Sequence, residues 1–163
     1  MQNRASLILA SSSPRRLALL RQVGVIPDRI QAPEVDETPL ARELPRAHVL
    51  RLAEAKVSDV ARRPEAGGAY VLAADTVVAC GRRAIRVAQT VVRFKRLHER
   101  EIASYLACGE WRGKAGGYAI QGLFGAFVPE IVGSYTNVVG LPLYETRLLL
   151  EGAGFQPAWG AVP

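Results

Sequence analysis

Leu7-Ile-Leu-Ala-Ser-Ser-Ser-Pro-Arg-Arg16, running on through Leu17-Ala-Leu-Leu20 to Gly24, is the stretch on which the fold turns. Its first four residues are apolar and short enough for a buried strand, and the serines that follow make a turn. Ser13 suits an N-cap and Pro14 a first helical position, where the missing N–H is not needed and φ is already helical. The spacing predicts a helix to about Val23, burying Leu17, Leu20 and Val23, with Gly24 as its stop. A strand that passes through a tight turn into a helix is the opening unit of an α/β domain.

Working outward, Ile26 to Leu44 is rich in proline and acidic residues and reads as a surface loop, or as a strand leading into one. From Pro45 to about Arg63, Val49, Leu52, Ala53 and Val60 fall on one helical stripe, and Lys56 lies on that same stripe. After the Gly67-Gly68 break, Tyr70-Val-Leu-Ala-Ala-Asp-Thr-Val-Val-Ala79 reads as one central strand apolar on both faces. Ala88 to Leu97 alternates, as a strand with one exposed face does. A helix from Glu99 to Ala107 is expected to bury Ile102 and Leu106, and a last helix from Pro142 to Glu151 carries Leu143, Leu148 and Leu150. The one-sided strand makes the sheet mixed, and the whole reads as a single domain over residues 1–163.

Composition agrees. With 163 residues, 49% of them hydrophobic, the chain can bury about 70% of its unfolded surface in one core. The longest apolar run, Ala69 to Cys80, holds Asp75 and falls short of the ~20 residues of a membrane span. No export signal is visible at Met1 to Ala10, so a cytoplasmic protein is expected. The net charge of +6 points to anionic partners. Its dibasic pairs lack interleaved aromatics, which speaks against a nucleic-acid surface.

Three features are electrostatically out of place. Arg15 and Arg16 sit in a first helical turn, against the positive end of the helix dipole, which suggests that an anion compensates them. Asp75 lies in a buried strand, where a carboxylate costs several kcal/mol unless it pairs, binds metal or emerges at the strand's end. Lys56, on an apolar stripe, should snorkel or meet an anion. Glu34, Asp36 and Glu37 form an acidic cluster of the kind that helps hold Mg²⁺ with substrate phosphates, or simply keeps a loop soluble. His48 and His98 read as surface residues, and no Ser/His/Asp triad is apparent.

Taken in order, Leu9-Ala-Ser-Ser-Ser-Pro-Arg-Arg16, Val35-Asp-Glu37, Ala53-Glu-Ala-Lys56, Ala73-Ala-Asp-Thr-Val-Val78, Lys114-Ala-Gly-Gly-Tyr-Ala-Ile-Gln-Gly122 and Gly140-Leu-Pro142 resemble the Maf family of nucleoside triphosphate pyrophosphatases. Gly117-Tyr-Ala-Ile-Gln121 is similar to the branch acting on dTTP and UTP rather than on 7-methyl-GTP. The resemblance implies a Maf/ITPase-like mixed, twisted sheet flanked by helices, with a nucleotide-binding cleft. It implies hydrolysis between the α and β phosphates to a nucleoside monophosphate and pyrophosphate. Ser11, Arg15, Arg16 and Lys56 would hold the phosphates, and Gln121 would belong to the nucleotide pocket. Glu37 and Asp75 would be catalytic and hold a divalent metal, Mg²⁺ or Mn²⁺. A homodimer is implied too, with no membrane partner. The alternative is a catalytically weak nucleotide-binding regulator, since the family is also associated with inhibition of septum formation.

One departure stands out. The family pattern continues past the Asp75 strand with a Gly-Lys-Pro motif, a helix and a further strand, whereas Gly81-Arg-Arg83 here passes almost directly to Ala84-Ile-Arg-Val87. A second phosphate-binding lysine is therefore lacking, and Arg82 and Arg83 are its candidate substitutes. The expectation is that a mobile segment is missing near 83–84 and that the protein in solution is longer.

Overall fold

The computed structural model describes residues 6–75, 77–80 and 84–155. Strand β1 (Leu7–Leu9) leads into helix α1 (Pro14–Gln22), then strand β2 (Arg29–Ile30) and helix α2 (Pro45–Ala61). Strands β3 (Tyr70–Ala74), β4 (Val77–Cys80), β5 (Ala84–Val87) and β6 (Val91–Arg93) precede helix α3 (Glu99–Cys108). Strand β7 (Glu130–Val132) and helices α4 (Tyr135–Val139) and α5 (Leu143–Gly152) complete the described chain.

The main sheet has the order β2-β1-β3-β4-β5. β1 is parallel to both β2 and β3, while β3–β4 and β4–β5 are antiparallel, so the sheet is mixed as the sequence predicts. The period-two alternation of a strand sorts its side chains between two layers. Leu7, Leu9, Leu72 and Ala74 face a core built with Leu19 and Leu20 of α1, Leu149 and Leu150 of α5, Val25, Leu141 and Phe155. Ile8, Ala10, Val71 and Ala73 face the other way, onto Val60 of α2 and Ala66. Helices thus cover both faces of β1 and β3.

Three expectations are corrected. The ten residues from Tyr70 to Ala79 are not one strand: the chain reverses beyond Ala74, and β3 pairs with β4 through Ala74↔Val78 and Leu72↔Cys80. Asp75 therefore leaves the core at a strand end, where a carboxylate can reach water. Of the alternating stretch 88–97, Val91–Arg93 alone is strand, paired with β7 in a separate two-stranded ribbon. In α3 the buried side chain is Tyr105, with Ile102 and Leu106 exposed, because the aromatic ring packs edge-on against Phe124 of a distant 3₁₀ turn, Leu123–Phe127. In α5 the buried residues are Thr146, Leu149 and Leu150, and Leu143 packs against the larger core. The expectation about the chain near 83–84, with Arg82 and Arg83, falls on residues 81–83, outside the described residues.

Leu72 is fully buried at the centre of the larger core. Leu72→Ala is expected to destabilise the domain by about 2–5 kcal/mol, read as a lower urea midpoint at unchanged m-value.

Candidate active site

The neighbouring parallel strands β1 and β3 end at polar residues, and those ends build the site. Ser11, just past β1, is buried, and its Oγ accepts from the Ser13 amide at 3.1 Å and from Arg16 Nη1 at 3.0 Å. Ser13 occupies the N-cap of α1, yet its own side chain makes no capping bond. Arg16 also donates through Nε to the carbonyl of Gly140 at 2.9 Å, and its Nη2 stands 4.0 Å from Asp75 Oδ1. One guanidinium therefore ties the β1–α1 turn to the segment before α5 and to the end of β3. Burial pulls the Arg16 pKa downward, and the Asp75 and Glu37 carboxylates oppose that shift.

Lys56 arrives from α2. Its side chain is 6% exposed, and its Nζ lies 2.7 Å from Glu37 Oε1 and 2.9 Å from Asp75 Oδ1. The ammonium on the apolar stripe has met two anions rather than snorkelled to water. Asp75 Oδ1 takes both Lys56 and Arg16, which leaves Oδ2 without a partner among the described residues. Glu37 comes from the extended loop before α2, with its side chain 61% exposed.

These groups border a cavity of about 610 Å³, lined among others by Arg15, Arg16, Glu37, Asp75, Tyr118 and Gln121. That volume lies in the ~300–1,000 Å³ range of small-molecule sites. Arg15 forms no ion pair with another described residue, so its charge is available to a ligand. Ser11 and Lys56 do not line the cavity. They stand behind its wall and fix Arg16, Asp75 and Glu37, which do. Gln121 follows the buried pair Ala119 and Ile120, in a segment pinned by the Ala119 amide donating to Tyr105 Oη at 3.0 Å. Among the described residues no group of three or more His, Cys, Asp or Glu side chains forms a metal cage. The carboxylates of Glu37 and Asp75, which converge on Lys56, both line the cavity.

Sequence reasoning missed several residues. His48 is not a surface residue: its side chain is 22% exposed, it lines the cavity, and its Nδ1 is 2.8 Å from Glu43 Oε2. The signal was there, because His48, Leu52 and Lys56 recur every four residues on one helical stripe. Asn137 of α4 is buried in the cavity wall, where its Nδ2 donates to Ala88 O and Thr90 Oγ1 at 3.1 and 3.0 Å. Nothing local in the sequence links those positions.

Comparison with known proteins adds to this geometry. The family model described as "Maf-like protein" matches residues 6–86 and again residues 79–153. The chain belongs to the Maf family. A relative from Rhodopseudomonas palustris (strain ATCC BAA-98 / CGA009), named dTTP/UTP pyrophosphatase, is 48% identical over 197 residues, with 95% of each chain covered. Relatives of the same name from Caulobacter vibrioides and Paramagnetospirillum magneticum are each 48% identical, over 190 and 191 residues. They cover 93% and 94% of this chain and 97% and 100% of their own. An alignment of 197 positions against a chain of 163 residues leaves at least 34 positions (197 − 163) without a counterpart in this Maf chain. The two family matches overlap at residues 79–86.

Lys56→Met is expected to lower stability at neutral pH by roughly 1–3 kcal/mol, because Asp75 and Glu37 are left facing each other without their shared cation; urea unfolding at pH 7 measures it. A second expectation concerns Glu43, whose carboxyl the Arg51 guanidinium holds well below its usual range. A depressed carboxyl stabilises the fold above its unfolded pKa of about 4.3 and loses that contribution as pH falls further. The thermal-midpoint gap between wild type and Glu43→Gln should therefore be full at pH 7 and shrink progressively below about pH 4.

Proposed function

We propose that this protein hydrolyses dTTP and UTP at the bond between the α and β phosphates, releasing a nucleoside monophosphate and pyrophosphate in the cytoplasm. The observation that carries the reading is the convergence of Glu37, Lys56, Asp75 and Arg16 at a cavity that Gln121 also lines. The names of the relatives, each 48% identical, support the choice of substrate.

In this reading Arg15 and Arg16 bind the phosphate oxygens, with Ser11 orienting Arg16. Lys56 contributes positive potential from behind the wall and sets the two carboxylates. Asp75 offers Oδ2, without a partner among the described residues, to accept a proton from the attacking water, whose oxygen then bonds to phosphorus while the bridging P–O bond breaks and its electron pair leaves with pyrophosphate. Glu37 and Asp75 are also the residues that would hold a divalent cation, which, when bound, offsets charge developing on the phosphates. Gln121 meets the nucleoside part.

The second reading, a catalytically weak nucleotide-binding regulator, is favoured by one observation: the alignment with a relative has at least 34 positions that this chain does not fill. The resemblance to the family implies a phosphate-binding lysine beyond the Asp75 strand, which this chain lacks.

Pyrophosphate release from UTP and dTTP in the presence of Mg²⁺ separates the two. Turnover is expected, and Asp75→Asn should lower it by at least about 100-fold with the far-UV spectrum unchanged. Nucleotide binding without any pyrophosphate release would establish the second reading, and wild-type rates in the variant would remove Asp75 from the mechanism.

A further inference from the structure

The loop that brings Glu37 to Lys56 has almost nothing apolar to hold it. Residues 36–42 are all exposed, including Leu40, and none of them lies in a regular element. Hydrogen bonds to α2 hold it instead. Upstream of Glu37, the Glu34 amide donates to Asp59 Oδ2 at 2.9 Å. Downstream, Arg51 Nη2 donates to the Thr38 carbonyl at 3.1 Å, and the Thr38 amide donates back to Asp36 Oδ1 at 2.9 Å. Glu37 lies between these two staples.

The downstream staple depends on Glu43. Its side chain is only 7% exposed, and its carboxylate takes Arg51 Nε and Nη2 at 2.7 and 2.8 Å, His48 Nδ1 at 2.8 Å and the Leu40 amide at 3.0 Å. A bidentate fork fixes the guanidinium plane as a single ion pair cannot. With that plane fixed, the Arg51 Nη2 that serves Glu43 also reaches Thr38. Between Leu40 and Glu43 the chain turns through Arg42 at a φ of +59°, a left-handed conformation that a non-glycine residue keeps only when its surroundings enforce it. His48, on the same carboxylate, lines the cavity.

We propose that Glu43, acting through Arg51 and Thr38, is a positioning residue that holds the Glu37 carboxylate at the Lys56–Asp75 pair. The inference rests on the hydrolase reading for its kinetic consequence but not for its structural one. Glu43 and Arg51 do not meet the nucleotide. They decide whether Glu37 can.

The test uses the full chain with Glu43→Gln, which keeps the shape and removes the charge, and Arg51→Lys, which keeps the charge and removes the fork. Hydrogen exchange of residues 36–44 should accelerate at least about tenfold in both, with β1 and β3 unchanged. Carbodiimide labelling of Glu37 should accelerate with it. With UTP and Mg²⁺, kcat should fall at least about tenfold while KM moves less than about threefold, since a chemical group is displaced and the phosphate-binding arginines stay in place. Faster exchange at unchanged kcat would make the network structural only and overturn the proposal. So would unchanged exchange and labelling, or faster exchange in β1 and β3 along with the loop. A wild-type protein that releases no pyrophosphate would defeat the hydrolase reading, and exchange and Glu37 labelling would then decide the positioning claim alone.

Discussion

A single buried ammonium organises the site. Lys56 lies on the face of α2 that also carries Leu52, Ala53 and Val60, all buried, so its charge is largely shielded from water. Moving an unpaired ammonium into such surroundings costs several kcal/mol, and a partner with good geometry offsets that cost. Asp75 and Glu37 supply it from two other segments at 2.9 and 2.7 Å. The β3–β4 reversal and the acidic loop each bring one carboxylate to the ammonium that α2 carries.

The sheet explains why these groups lie next to each other. β1 and β3 are parallel neighbours paired from Leu7↔Tyr70 to Leu9↔Leu72, so their carboxyl ends open side by side. Ser11 emerges from one and Asp75 from the other. Ligands of open α/β sheets bind outside the carboxyl ends of parallel strands, where loops of opposite course leave a crevice. Arg16 spans that crevice, from Ser11 to Asp75 and on to Gly140, and makes the opening of the chain and its last third into one wall.

The far side of the cleft is held by different forces. The β6–β7 ribbon has only two strands, and Val91 and Val132 on it are exposed; such a ribbon is marginal by itself. Its support is Phe124, which packs against Phe94, Tyr105, Tyr118 and Phe127, together with Asn137, Ser134 and Thr90 in one hydrogen-bonded knot. Gly125 belongs to this arrangement because a Cβ there would stand 2.4 Å from the Ile120 carbonyl, one residue before Gln121.

What the sequence determined by itself is whatever short-range physics fixes. Pro14 and Gly24 bound α1, Pro45 starts α2, and the apolar run before Ser11 makes a strand, because capping, φ restriction and periodicity act within a few residues. The out-of-place charges of Arg16, Lys56 and Asp75 were legible for a related reason: burying a charge is unfavourable enough to mark its position before any partner is known. Which partner each would find was not legible. That Asp75 stands at a reversal rather than inside a ten-residue strand depends on β4 folding back along β3, and an apolar run reads the same whether it is one strand or two. That Tyr105 and not Ile102 is the buried side chain of α3 depends on an aromatic ring arriving from nearly twenty positions away in the chain. That Glu43 rather than any other carboxylate anchors the Glu37 loop depends on Arg51 presenting its fork from the next helix. Only the tertiary structure could decide these, since each rests on a pairing that residue type and periodicity within one segment do not specify.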